Sequence, residues 1–264
     1  MNYKKKQNMR EITLGSKHRV KIYDSIDEMT VARYHRWNQM MVLNEGVGLT
    51  VEGLSGRLAN VANLIDAERP DAAKVELHNI AVALSVTRAG ADMQTRALAA
   101  TVAEIDGEPT DDLTSDGLDK TVERLQGIIT KGERDGILDS VKKKIDEELA
   151  FYYPEVAGGE SEQTALLRNI ADALLEEVQT GCDNSERIAR LRRMVVEAME
   201  VVDYASYERE SDVAFEQMCL SIRETMHVDT KGLTVMEYYA ARKSLDDRAK
   251  EYEKITNKNK HRNA

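Results

Sequence analysis

A chain of 264 residues with a formal net charge of −10 can hold one large domain or two modest ones, and as a whole it repels nucleic acid and anionic lipid. Two cysteines outside any paired motif, no apolar run near the roughly 18–20 residues of a membrane span, and the amino-terminal stretch MNYKKKQNMREITLG predict no disulfide scaffold, membrane helix or secretory leader. Aromatics at 5%, three prolines and abundant Ala, Leu, Glu, Arg and Lys favour helices, so the expected class is mainly all-α, a helical bundle in the cytoplasm.

The charge is uneven. Lys4, Lys5, Lys6 and Arg10 open the chain and Lys258, Lys260 and Arg262 close it, which leaves residues 11–257 at −17. A short β-hairpin is predicted first: Ile12 and Leu14 alternate with polar residues, 15–18 can turn, and Val20 and Ile22 alternate again. Strand is expected only over about residues 10–23, and so small a hairpin must pack on the body or a partner. Ser25 to Glu28 has a capping-box pattern, with Thr30 a second candidate cap. A helix from Val31 to about Glu45 carries Val31, Tyr34, Trp37 and Met41 on one stripe. After Gly46-Val47-Gly48-Leu49, with Thr50 as cap, a helical seam of Val51, Leu54, Leu58, Val61 and Ile65 follows.

Pro70 starts a helix carrying Leu77, Ile80 and Leu84, and a further helix is expected from Asp92 to Ile105. Residues 106–115 read as a loop. Leu118, Val122, Leu125 and Ile129 mark the next helix, and Leu138, Val141, Ile145, Leu149 and Tyr152 the one that Pro154 stops. The segment around Gly158-Gly159 is the expected boundary between an N-terminal domain, 1–157, and a C-terminal long-helix domain, 163–257. There Leu167, Ile170, Leu174 and Val178 line one helix, and Ile188, Leu191, Val195, Ala198 and Val202 line the next. Phe215, Met218, Ile222 and Met226 continue the pattern, as one long helix or two with a bend near Ser206 to Ser211. Thr234 caps a last helix with Val235, Tyr238, Leu245, Ala249 and Tyr252, and 258–264 reads as a polar tail.

No catalytic or cofactor-binding constellation is complete. Asp112, Thr114, Asp116, Gly117 and Glu123 stand at positions one, three, five, six and twelve of a calcium loop. Thr is a poor ligand at position three and Pro109 interrupts the entering helix, so a capped helix start is the better account. Seven carboxylates and no Lys or Arg between Ala97 and Asp119 make a solvated acidic loop. Glu224 and His227 have the Glu-x-x-His spacing, but a di-iron bundle needs two such motifs; they read as a helix C-terminus. Arg33-Tyr34-His35-Arg36-Trp37 could stack and pair nucleic acid, yet Tyr34 and Trp37 fall on the apolar stripe with Arg33 and Arg36 flanking it. Arg187, Arg190, Arg192 and Arg193 interleave with the seam of Ile188, Leu191 and Val195 and form its exposed side.

Several segments resemble uncharacterised helical proteins from the structural gene clusters of tailed phages of Bacteroides-type hosts. They are Arg10 to Leu14, Val20 to Met29, Arg33 to Asn38, Glu45 to Gly48, Glu104 to Gly107 and Leu233 to Tyr239. The strand-turn-strand start also resembles tail assembly chaperones, which hold the tape-measure protein before the tail polymerises. The resemblance implies a non-enzymatic neck or tail component, in the host cytoplasm or the virion, that acts through contacts with other phage structural or assembly proteins or with a second copy of itself. It implies no catalytic residues; no cofactor is expected, and the apolar runs and net charge argue against a membrane or nucleic-acid partner. A chaperone absent from the finished particle is one alternative, and a metal-dependent enzyme built from distant carboxylates is another. The seam Ile188, Leu191, Val195, Ala198 and Val202 is the expected interaction site, pairing with the preceding helix or with a neighbouring subunit.

Overall fold

The computed structural model describes residues 9–15, 17–46, 51–88, 93–156, 162–199 and 201–262. Ten α-helices and a small antiparallel sheet make up the described chain, so the mainly helical class holds. The hairpin forms as expected: β1 (Arg10–Leu14) pairs with β2 (His18–Ile22), setting Ile12 opposite Val20. Leu14, Val20 and Ile22 are buried.

Strand is not confined to this hairpin. The helix expected to reach Ile105 stops at Thr101: α4 is Met93–Thr101, and β3 (Val102–Ile105) follows it directly. β3 pairs with β2, Val20 against Ile105 and Ile22 against Val102, and β4 (Glu108–Pro109) closes a second hairpin. The turn between them is Asp106-Gly107, with φ of 53° and 88°. Two left-handed residues in a two-residue loop suit Asp-Gly, a strong local hairpin signal in a stretch read as a helix end and a loop. Covering the open edge of β2 gives Val102 and Ile105 a burial that a helix there would not.

Ser25 caps no helix. Its hydroxyl donates to Asp27 and to Glu148, whose carboxylate also accepts from the backbone N–H of Ile26. The first helix, α1 (Val31–Gly46), starts one residue after Thr30, whose hydroxyl accepts from Arg33 N. α10 (Val235–Arg262) starts after Thr234 in the same way, with Glu237 completing a capping box. The two caps form an antiparallel bridge, Val31 N donating to Leu233 O and Val235 N to Met29 O. The helix starts thus lie side by side, with Val31 and Val235 both buried. α10 runs through 258–262, which the sequence assigns to a tail.

The remaining helices are α2 (Val51–Asp66), α3 (Pro70–Arg88), α5 (Ser115–Gln126), α6 (Lys131–Tyr152), α7 (Glu162–Thr180), α8 (Ser185–Glu197) and α9 (Tyr204–Met226). The break between α8 and α9 falls at 198–203, earlier than the expected bend. In α6 the expected line holds: Leu138, Val141, Ile145 and Leu149 are buried. Tyr152 is exposed, and Tyr153 is buried in its place, its hydroxyl donating to Met236 O. In α2 and α3 the covered arc is offset. Val61, Leu64, Ala73 and Ile80 form the core there, while Leu58, Ile65, Leu77 and Leu84 are exposed.

The chain forms two compact units that are not consecutive. One combines residues 1–42, 93–153 and 210–264, the other 43–92 and 154–209. This differs from the expected division into 1–157 and 163–257, whose proposed boundary at Gly158-Gly159 lies outside the described residues. The reason is long-range pairing: β2 takes β3 as its neighbour, and Thr30 takes Thr234. Those contacts gather three distant segments into one core.

Candidate functional site

The expected seam is spent inside the protein. α7 and α8 pack together across the short connection 181–184, where Asn184 donates to Ala173 O and Arg187 pairs with Glu176 at 2.9 Å. Ile188 and Leu191 are the buried residues of α8, and Leu166 and Ala173 those of α7. Val195 is only half-buried, Ala198 is the C-cap residue, and Val202 lies beyond the helix and is exposed. The seam therefore ends at the cap, because the helix that would extend it stops there.

A different apolar line faces outward. Leu167, Leu174, Leu175 and Val178 on α7 are 51%, 45%, 60% and 86% exposed. Leu167, Ala171, Leu174 and Val178 follow steps of four, three and four, the spacing of a helix-pairing seam. The apolar arc of α7 is wider than one neighbour can cover. Leu166, Ile170 and Ala173 occupy its inner part, and the line read from the sequence as buried forms most of its outer part.

The calcium-like loop is a helix cap. Asp112 Oδ1 accepts from Thr114 N at 3.0 Å and from the Thr114 hydroxyl at 2.6 Å, and that hydroxyl accepts from Gly117 N. These bonds hold the Asp112 carboxyl below its usual range. Asp116 lies in the first turn of α5, and Glu123 is exposed further along it. Among the described residues no group of three or more His, Cys, Asp or Glu side chains is placed to hold a metal.

The acidic stretch is largely neutralised where it stands. Glu104 pairs with Lys21 at 2.7 Å, Glu108 with Arg124 at 3.2 Å and Asp119 with Arg96 at 3.3 Å, and Asp106 lies 2.8 Å from the His18 ring. Asp111 pairs with Arg33. The partners come from β2, α1, α4 and α5, so their charge complement was invisible within the stretch itself.

The basic–aromatic cluster also turns inward. Arg33 does not rim the stripe; it is buried beneath it. Its guanidinium donates to the carbonyls of Val102 (2.7 Å), Ala100 (3.3 Å) and Thr110 (2.5 Å) and lies over the Tyr23 ring. Trp37 is in the core. His35 stacks on Phe215 with ring centroids 4.1 Å apart, and its Nε2 lies 2.8 Å from Asp212. Arg36 and Gln39 donate to the same carboxylate. Burial pushes the His35 imidazole below its ordinary value despite the pull of Asp212. Burial raises the Asp212 carboxyl, but the bonds from His35 and Gln39 and the charge of Arg36 hold it lower overall. This dyad joins residues 177 apart, and nothing in the sequence marks Asp212.

A cleft of about 530 Å³ opens beside the dyad. Its charged lining is engaged internally: Asp111 with Arg33, Asp112 with Thr114, and Lys231 with Glu216 at 2.6 Å. Cys219 is buried, which pushes its thiol up and keeps it protonated; Cys182 is exposed, and both thiols are free. Glu224 is exposed near the end of α9, and His227 caps that end in the left-handed region with φ 57°.

No protein-family model, no curated protein and no solved structure matches this chain.

Proposed function

We propose that the protein is a non-enzymatic structural or assembly component of a phage particle, acting through protein–protein contact along the outer face of α7. The observation that carries this reading is the exposed line of Leu167, Ala171, Leu174 and Val178 at helix-pairing spacing. Fully burying one Leu or Val side chain is worth about 1.5–3 kcal/mol, so covering these half-exposed groups contributes roughly 3–6 kcal/mol. The occupant is an apolar helix of a partner protein with basic flanks. α7 carries Glu162, Asp172 and Glu177, besides Glu176 that Arg187 pairs, against the single Arg168, and residues 11–257 carry −17, so a second copy is repelled. The particle setting rests on the resemblance of the segments from Arg10 to Gly48 and from Leu233 to Tyr239.

The test is the protein composition of purified particles and of their assembly precursors, by mass spectrometry, with wild-type protein and Leu174→Asp/Val178→Asp. Both residues are exposed in the free protein, so the double variant keeps its circular dichroism and melting temperature but is not incorporated. Recovery from precursors alone assigns the chaperone role. Absence from both, or wild-type incorporation of the variant, refutes the proposal.

A further inference from the structure

A second cavity, of about 340 Å³, lies among α1, α9 and α10 on the other side of His35. Its walls are aromatic. Tyr238 meets Tyr239 edge-on with centroids 5.4 Å apart, Phe215 leans on Tyr238 at 6.3 Å, and Tyr34 meets Tyr239 at 6.5 Å. Set among these rings are four polar side chains, Asn38, Ser211, Arg242 and the Tyr238 hydroxyl. None of the four side chains has a hydrogen bond or ion pair with another described residue.

Tyr238 is the sharpest case. The residue is only 7% exposed; its hydroxyl opens onto the cavity and makes no hydrogen bond to another described residue. Desolvation pushes its pKa up to about 12, so the group is a neutral donor. Arg242, exposed at the cavity mouth, bears on both Tyr238 and Tyr239 electrostatically and has no carboxylate partner among the described residues.

The contrast with the neighbouring cleft decides what each can do. There the charged groups are engaged by other protein groups; here a guanidinium and three neutral polar groups have no bond to another described residue. In a chain of net charge −10, no Asp or Glu among the described residues lines this cavity. Aromatic walls with few convergent polar groups are the composition of small-molecule sites, and about 340 Å³ is at the small end of their range. That size suits a single-ring compound and not a nucleotide.

We propose that this cavity binds a small aromatic carboxylic acid, its ring against Phe215 and Tyr238 and its carboxylate met by Arg242, with Asn38 and the Tyr238 hydroxyl as further donors. The guanidinium selects the anion, because a charge-assisted bond to a carboxylate is roughly twice as strong as a neutral one. The site is independent of the α7 surface, and either can fail without the other.

The probe is 4-hydroxyphenylacetate, with 4-hydroxyphenylacetamide as its neutral counterpart, added to the full chain and followed by saturation-transfer NMR and isothermal titration. The acid is expected to saturate in the low millimolar range and the amide to bind about tenfold more weakly. Arg242→Gln lowers acid affinity about tenfold and removes the preference over the amide, and Tyr238→Phe weakens binding a few-fold. Both variants keep the wild-type melting temperature, and the exposed control Arg248→Gln keeps wild-type binding. The proposal is overturned by no saturation of the acid up to roughly 20 mM, by equal binding of acid and amide, or by an Arg242→Gln variant that binds as wild type. Loss of binding in Arg248→Gln equal to that in Arg242→Gln overturns it too.

Discussion

Replacing Gly117 with Ala destabilises the protein, although Ala is the better helix former. Gly117 sits in the first turn of α5, where its N–H donates to the Thr114 cap. A Cβ added there would lie 2.3 Å from Asp112 Cγ, 2.4 Å from Asp112 O and 2.6 Å from Asp112 Cβ. One of those atoms is backbone, so no rotamer change relieves the clash. The turn from Asp112 to Thr114 must open, which loses a cap worth about 1 kcal/mol and adds roughly 1–3 kcal/mol of overpacking strain. Higher helix propensity offsets at most about 1 kcal/mol. The net cost is therefore about 1–3 kcal/mol. Gly136, inside α6 of the same unit, has nothing within 4 Å of an added Cβ, so Gly136→Ala gains about 0.5–1 kcal/mol. The two variants thus differ by roughly 1.5–4 kcal/mol, or about 3–16 °C in melting temperature for a chain of this size. Thermal and urea melts followed by circular dichroism measure the difference. Gly117→Ala melting at or above Gly136→Ala would show that the cap does not hold Asp112 against this helix start.

Arg33→Met strips the carbonyls of Val102, Ala100 and Thr110 of their shared donor and costs about 3–5 kcal/mol in urea denaturation. Arg33→Lys rescues little, because an ammonium lacks the planar fork; full rescue would refute the clamp. On α8, Leu191→Asp costs about 3–5 kcal/mol, half-buried Val195→Asp about 1–2 and exposed Arg192→Ala under about 0.5, an order that size-exclusion and melting curves check. Folded His35 is harder to protonate than its ordinary value of 6.5 allows, so the unfolded chain takes up the proton first. Its stability contribution is complete above about pH 6.5 and is lost as pH falls towards the folded pKa. Denaturation at successive pH values should give a shallower acid slope for His35→Gln, and an unchanged slope would count against the burial of this ring.

The segments that the sequence determined by itself are those whose own pattern met a matching neighbour. The hairpin of Ile12, Leu14, Val20 and Ile22, the cap at Thr30, and the line Leu138 to Leu149 in α6 are of this kind. Thr30 and Thr234 were each legible as helix caps, but only the tertiary structure made them a bridge between two helix starts. Other features turned on partners far along the chain. Val102 to Ile105 leaves the helical pattern because β2, more than eighty residues earlier, offers an open edge. Asp212 is one acid among many until α1 brings His35 to it, and Arg242 matters because it stands beside the rings of Tyr238 and Tyr239 with no acid of the described residues paired to it. In α2, α3 and α7 the apolar arc was legible, but not which part of it would be covered: Leu64 is buried and Ile65 exposed, Leu166 buried and Leu167 exposed. Periodicity is a property of one segment and places its apolar side chains on an arc. Which part of that arc meets protein and which meets water is set by neighbours that fold in from elsewhere in the chain.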